Sequence, residues 1–221
     1  ATARRPWLVA AATLGFALTH GGWIMLVGSV FLLCLGEVFY DLLVLEKGWK
    51  SWRGWNWWSA VAALFGAALG TLLHPNFPAN LRFLWVQVVK IGVLTPGRVI
   101  LGQEWSPVGF GELVSGLAPV LVAGLVTAYL LLFVRKQTPP SQEVGRRIIG
   151  TGLVAAVFFA LTIKSRRSIE YLVPVSVLWL GALWTLIDPG ALKSEWLVWW
   201  RERRRLVVLL ILLCVAMLAK D

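Results

Sequence analysis

The chain has 221 residues, of which 58% are hydrophobic and only 14% are charged, and its formal net charge is +10. Soluble domains contain about 25% charged residues, so a water-soluble fold of this size could not hide so much apolar surface, and we expect a membrane protein. The cations occur in short clusters between apolar runs, which is typical of segments that orient helices and contact lipid headgroups, and which argues against nucleic-acid binding.

Seven apolar runs approach the roughly 20 residues that a helix needs to cross the hydrocarbon of a bilayer. They predict an all-α fold, a polytopic transmembrane helix bundle of about seven spans, with six as the alternative because the first run is short. In chain order the runs are Trp7–Thr19, Gly22–Leu45, Trp57–Leu73, Leu113–Val134, Ile148–Ile163, Ile169–Ile187 and Leu206–Ala219.

A long outer loop, His74–Glu112, is predicted between the third and fourth spans. Its four prolines exclude one continuous helix, although Asn80–Ile91 could form a short helix in the membrane interface. The two cysteines, Cys34 and Cys214, lie in apolar runs without C-x-x-C spacing, so neither a disulfide framework nor a metal site is indicated.

The start of the chain, "ATARRPW", resembles a cytoplasmic loop within a longer protein, and no cleavable signal peptide precedes the first run. We therefore expect residues 1–221 to form a single integral membrane domain that is a fragment of a longer chain.

The Lys and Arg residues, counted by alternate loops, predict the orientation of the bundle. One set of loops holds 14 of them and the other set holds 7. The richer set comprises Arg4–Arg5, Lys47–Arg53, Arg135–Arg147 and Lys193–Arg205. The positive-inside rule places this set, and the N-terminus of this chain, in the cytoplasm.

Four polar stretches then gather on the outer side, at span ends or in the long loop, where a site facing both lipid and water would be built. They are "THGGW" (19–23), "LHPNFPANLRFLW" (73–85), "GQEWSP" (102–107) and "KSRRSIEY" (164–171). The last of these carries three cations on the side that the positive-inside rule leaves poor in them, so a role other than orientation is indicated.

Each histidine of the chain has two interpretations. His20 and His74 end spans and could cap the last carbonyl groups or stabilise a turn, as Asn76 could. Alternatively they contact a sugar or a phosphate, because the backbone N–H groups of a glycine turn can hold an anion. Glu104 and Trp105 are similarly ambiguous, since an acidic and an aromatic residue side by side suit a carbohydrate, whereas an interfacial tryptophan anchor is common in membrane proteins.

The strongest group of candidates is Arg166, Arg167, Glu170 and Tyr171. A guanidinium binds phosphate through two parallel hydrogen bonds, so an outer pair of arginines suits a lipid-linked phosphate. If the sixth span begins near Ser165, either arginine can pair with Glu170. The alternative is simple anchoring to phospholipid headgroups.

Two further features are interpreted as structural. Asp41, close in sequence to Lys47 and Lys50, predicts an ion pair near the interface or a snorkelling side chain. Gly66 and Gly70 form a G-x-x-x-G pattern that predicts close helix packing.

The outer motifs together resemble the middle and C-terminal part of bacterial multi-pass GT-C-type membrane glycosyltransferases, which are related to lipid-linked mannosyl and arabinosyl transferases. The resemblance rests on "HGG", "HPN", "EWSP" and "RRSIEYLVP" in this order and covers roughly Arg5 to Gly190. It implies sugar transfer from a polyprenyl-phosphate donor on the outer face of the bacterial inner (plasma) membrane, with cations holding the lipid phosphate.

In such a family the catalytic carboxylate lies upstream of the "HGG" region, and the first outer turn of this chain has no acidic residue. Either the catalytic residue therefore lies upstream of this chain or the chain is not an enzyme, and we assign no catalytic residue within it. No metal or other cofactor is expected, because the donor carries a single phosphate. From the motifs and the resemblance together, the substrate-binding candidates are Arg166, Arg167, Glu170, Tyr171, His20, His74, Asn76, Glu104 and Trp105.

The alternative function is a non-catalytic membrane protein, either a transporter or an assembly subunit for cell-envelope polysaccharide. Transporters usually show polar or broken helices near the bilayer midplane, whereas the mid-span positions here are almost wholly Leu, Val, Ala, Gly and Phe. The lipid bilayer is the expected partner for both functions. The enzyme would also bind a polyprenyl-phosphate-linked sugar.

Overall fold

The computed structural model describes residues 5–19, 21–47, 57–86, 107–133, 139–190 and 193. The elements within these ranges are all helical, which confirms the all-α class. They are α1 (Pro6–Thr19), α2 (Trp23–Phe39), α3 (Trp57–Leu73), α4 (Ala79–Trp85), α5 (Phe110–Phe133), α6 (Gln142–Lys164) and α7 (Ile169–Trp184).

The helices follow the apolar runs closely. Six of the predicted runs each coincide with one helix, and Leu206–Ala219 lies outside the described residues. The largest difference is that α6 begins at Gln142 rather than at Ile148. Its polar first turns were missed because they precede the apolar run, and Ser141 starts the helix there by accepting a hydrogen bond at Oγ from the Val144 N–H, 3.4 Å away.

Among the described residues, three helices are long and apolar enough to cross a membrane: Trp23–Val44, Phe110–Leu132 and Gln142–Lys164. The first of these is α2 extended by a π-helical turn, Tyr40–Val44. The other apolar helices, α1 and α3, are shorter. Many large apolar side chains on the outside of the bundle are exposed, which is compatible with a surrounding lipid bilayer.

The helices pack in the spatial order α1, α3, α2, α6, α7 and α5. Several glycines allow the helices to approach each other closely. Gly66 and Gly70 of α3 lie against the backbone of α1, as the G-x-x-x-G pattern predicts. Gly36 of α2 lies against Gly150 of α6, so that these two helices touch backbone to backbone.

A buried apolar cluster lies where α5, α6 and α7 meet, and is formed by Leu117, Val154, Phe158 and Leu172. The Tyr171 ring stacks on Phe158 with the ring centroids 5.6 Å apart. Polar atoms also join these helices. The indole N–H of Trp184 in α7 donates to Oγ1 of the buried Thr127 in α5 at 2.7 Å.

The connections define two ends of the bundle. The His74 end carries the turn between α1 and α2, the start of α4 and the connection between α6 and α7. The Asp41 end carries the end of α2 and the start of α6. Of the predicted interfacial helix Asn80–Ile91, the structure describes the part that belongs to α4, and residues 87–106 of the long loop lie outside the described residues.

Candidate functional site

A cavity of about 610 Å³ opens at the His74 end, between the turn that joins α1 to α2 and the segment that runs from α3 into α4. It therefore joins two of the polar stretches that the sequence places on one side. Its lining residues are Ala17, Gly21, Trp23, His74, Asn76, Phe77, Ala79, Asn80, Phe83 and Leu84.

His74 is held by the turn that follows α3. The backbone N–H of Asn76 donates to His74 Nδ1 at 3.1 Å. A ring nitrogen that accepts a hydrogen bond carries no hydrogen, so the neutral imidazole has its N–H at Nε2. The turn therefore sets the tautomer and leaves a donor on the other side of the ring.

Asn80 is oriented by the end of α3. Its Nδ2 donates to the carbonyl oxygen of Thr71 at 2.8 Å, which fixes the amide because a carbonyl accepts only from the nitrogen side. The amide oxygen Oδ1 is buried and has no hydrogen-bond donor among the described residues. A buried acceptor without a donor is costly, so this oxygen favours a donor such as a hydroxyl group.

The described lining of this cavity has no Asp, Glu, Lys or Arg. It combines three aromatic rings, Trp23, Phe77 and Phe83, with the polar groups of His74 and the asparagines. Aromatic faces bind the apolar faces of a ring, while amide and imidazole groups bind hydroxyl groups. The cavity is therefore suited to an uncharged ligand with several hydroxyl groups.

The second polar site of the His74 end is an ion pair between Arg166 and Glu112. Arg166 Nη2 lies 2.9 Å from Glu112 Oε2, and the two side chains are 40% and 49% exposed. Arg166 thus pairs with Glu112 of α5. The sequence suggested Glu170 as its partner. The reason is local: Arg166–Ser168 form a 3-10 turn and α7 begins only at Ile169, so Arg166 and Glu170 do not share a helix face as an α-helical i, i+4 pair does.

The nine sequence-predicted candidates thus divide into three groups. His74 and Asn76 line the cavity. The four around the connection between α6 and α7 are at the same end of the bundle but do not line the cavity: Arg166, Arg167, Glu170 and Tyr171. The remaining three lie outside the described residues: His20, Glu104 and Trp105.

Several site residues were not singled out from the sequence. Trp23, Phe77, Asn80 and Phe83 line the cavity although they lie within stretches already marked as polar. The sequence pattern that could have identified them is the alternation of aromatic and amide residues next to "HGG" and "HPN". Glu112 had no such signal, because its partner is distant in sequence.

The Asp41 end holds a buried ion pair. Asp41, 3% exposed, accepts from Arg146 Nε at 2.9 Å and from Nη2 at 2.8 and 3.0 Å, and Lys47 Nζ lies 3.7 Å from its Oδ2. The predicted ion pair is confirmed, but its main partner is Arg146 of α6 rather than a nearby lysine. We interpret this site as structural because the carboxylate is covered by its own partners.

Within the described ranges, no three His, Cys, Asp or Glu side chains come together as metal ligands do. Comparisons with family models, curated proteins and solved structures give no match to this chain.

Proposed function

We propose that this chain is an integral membrane protein and the donor-binding part of a GT-C-like glycosyltransferase, which transfers a sugar from a polyprenyl-phosphate donor on the outer face of the membrane. The observation that carries this proposal is the cavity at the His74 end. Its aromatic, amide and imidazole lining suits a sugar. The order of the "HGG", "HPN", "EWSP" and "RRSIEYLVP" motifs supports the same assignment.

The proposed donor has two chemically different parts, and the His74 end offers a group for each. The uncharged sugar suits the cavity, which has no charged side chain in its described lining. The phosphate suits Arg166, whose guanidinium can hold two of its oxygens. We assign no catalytic residue within this chain.

The second candidate function is a non-catalytic assembly subunit for cell-envelope polysaccharide. It is favoured by one observation: no carboxylate that could act as a general base lines the cavity in the described part of the chain. Such a subunit would bind the same class of sugar without transferring it.

Donor binding tests both the site and the ligand class. We expect the detergent-purified protein to bind polyprenyl-phosphate mannose or polyprenyl-phosphate arabinose more tightly than bare polyprenyl phosphate, as measured by native mass spectrometry. Phe83→Ala should weaken binding of the sugar-bearing lipid about tenfold, because a ring face is lost. His74→Ala should weaken it about threefold to tenfold, because a hydrogen-bond donor is lost.

The matched control is Phe65→Ala, which removes an exposed phenyl ring from α3 outside the cavity lining. It should leave binding unchanged. Equal affinity for sugar-bearing and bare lipid, or equal effects of the two phenylalanine substitutions, would refute the assignment. A transfer assay on the full-length protein separates the two functions, since binding without transfer identifies the assembly subunit.

A further inference from the structure

The ion pair of Arg166 leaves much of its hydrogen-bonding capacity unused. A guanidinium has five N–H donors in one plane. Arg166 Nη2 lies 2.9 Å from Glu112 Oε2. Arg166 Nε is buried and has no acceptor among the described residues. The carboxylate thus engages one arm of a group that is shaped to hold two oxygens at once.

The pair is also easily exchanged. Both side chains are partly exposed, 40% for Arg166 and 49% for Glu112, and exposed ion pairs contribute little to stability. By contrast, Arg146 at the Asp41 end donates three hydrogen bonds to the carboxylate of Asp41, whose side chain is 4% exposed. The Arg166–Glu112 pair is therefore exchangeable, whereas the Arg146–Asp41 pair is fixed.

We propose that Glu112 is a competing anion for Arg166, which a lipid-linked phosphate displaces when it binds. The guanidinium then turns from the carboxylate and holds two phosphate oxygens through Nε and Nη2. Phosphate binds Arg166 more strongly than Glu112 does, because it accepts hydrogen bonds from both Nε and Nη2. The polyprenyl chain of the ligand is taken from the proposed function, on which this inference therefore rests. The phosphate is inferred from the geometry of Arg166 alone.

A phosphate ester at this end of the bundle could belong to the sugar donor or to a membrane phospholipid. The chemistry at Arg166 is the same for both. The probes are therefore polyprenyl phosphate and phosphatidylglycerol, with the uncharged polyprenol as the reference that lacks the phosphate.

The test uses opposite substitutions of the two partners. In the purified protein, Glu112→Gln should tighten binding of polyprenyl phosphate about fivefold, since it removes the competing charge. Arg166→Gln should weaken it about tenfold or more, and the double variant should behave like Arg166→Gln. Polyprenol binding should not change in any variant.

The matched control is Glu143→Gln, which removes the carboxylate of another exposed pair, with Arg147, at the Asp41 end. It should leave the affinity for polyprenyl phosphate as it is. Because the expected effect of Glu112→Gln is a gain, a variant that misfolds cannot imitate it.

The outcomes separate this inference from the proposed function. Unchanged or weaker phosphate binding by Glu112→Gln overturns the displacement and leaves the sugar cavity standing if Phe83→Ala still weakens donor binding. Tightening for phosphatidylglycerol but no binding of polyprenyl phosphate supports the displacement, assigns the phosphate to the bilayer and overturns the donor assignment. No binding of either lipid to any variant overturns both.

Discussion

Asp41 is the only charged residue that is buried within the described part of the chain. Its three hydrogen bonds from Arg146 join the end of α2 to the first turns of α6. Removing one partner of a buried pair leaves the other charge uncompensated, which costs far more than the pair itself contributes.

Neutralising one partner of this pair should therefore destabilise the protein. We expect Arg146→Gln to lower the free energy of unfolding by about 2–4 kcal/mol, below the value for a fully buried pair because Arg146 is 24% exposed and Lys47 remains near the carboxylate. Thermal unfolding in detergent, followed by tryptophan fluorescence, measures the effect.

Two variants frame this result. Arg147→Gln, which breaks an exposed pair one residue further on, should change the stability by less than about 1 kcal/mol. The double variant Asp41→Asn with Arg146→Gln should recover part of the loss, because no uncompensated charge is left. A loss in the double variant equal to the sum of the losses from Arg146→Gln and Asp41→Asn, each measured alone, would contradict the coupling.

At both ends of the bundle the sequence marked a charged residue that forms an ion pair in the structure, but it did not identify the partner. The sequence marked Asp41 as an ion-pair residue and Arg166 as an anion-binding residue, since charges beside apolar runs need partners. It suggested nearby partners, Lys47 and Glu170, because helix spacing is the only distance that a sequence displays. The actual partners, Arg146 and Glu112, depend on which helices pack together.

At the scale of elements, the contact between α2 and α6 depends on two glycines. A methyl group at Gly36 would overlap the backbone of Gly150, whereas one at Gly150 would lie 3.2 Å from the flexible end of Leu33. At Gly28, also in α2, a methyl group would meet nothing within 4 Å. The three sites thus form a graded series in which only the crowding changes.

The stability of three alanine variants should follow this series. We expect Gly36→Ala to cost about 1–3 kcal/mol, because the helices must separate. Gly150→Ala should cost less, and Gly28→Ala should stabilise the protein by about 0.5–1 kcal/mol through the helix propensity of alanine. Unfolding midpoints in one detergent rank the variants, and an equal response at the three positions would disprove the close crossing.

Helix positions were predicted well at this scale because long apolar runs carry most of the signal. α3 was predicted with its observed bounds, Trp57–Leu73. The start of α6 was missed because its first turns are polar, and a capping serine defines them instead. The π-helical turn after α2 was not predicted, since no residue pattern distinguishes it from the α-helix that it continues.

At the scale of the whole molecule, the cavity and the Arg166 pair share one end of the bundle, and the Asp41 pair marks the other. The positive-inside rule predicts that the His74 end faces outward. The cavity itself was only partly predictable. The sequence grouped four polar stretches on one side, and within the described part of the chain two of them line the cavity.

The orientation can be tested with single cysteines in a background without Cys34 and Cys214. Gly109→Cys lies at the His74 end and Ser141→Cys precedes α6 at the Asp41 end, and both positions are exposed. We expect a membrane-impermeant maleimide to label Gly109→Cys in intact cells, and to label Ser141→Cys only after permeabilisation. The opposite pattern would show that the bundle has the reverse orientation, and would contradict the outer location in the proposed function.

The ion pair at Asp41 also has a consequence for biosynthesis. Its partner Arg146 follows 105 residues later in the chain, so at roughly 5–20 residues per second the ribosome needs about 5–20 s to supply it. During that interval α2 exists with a carboxylate near its end and without α6 to cover it. Lys47 follows Asp41 by six residues and lies near the same carboxylate in the folded chain, so we expect it to serve as the counter-ion of Asp41 until α6 is made.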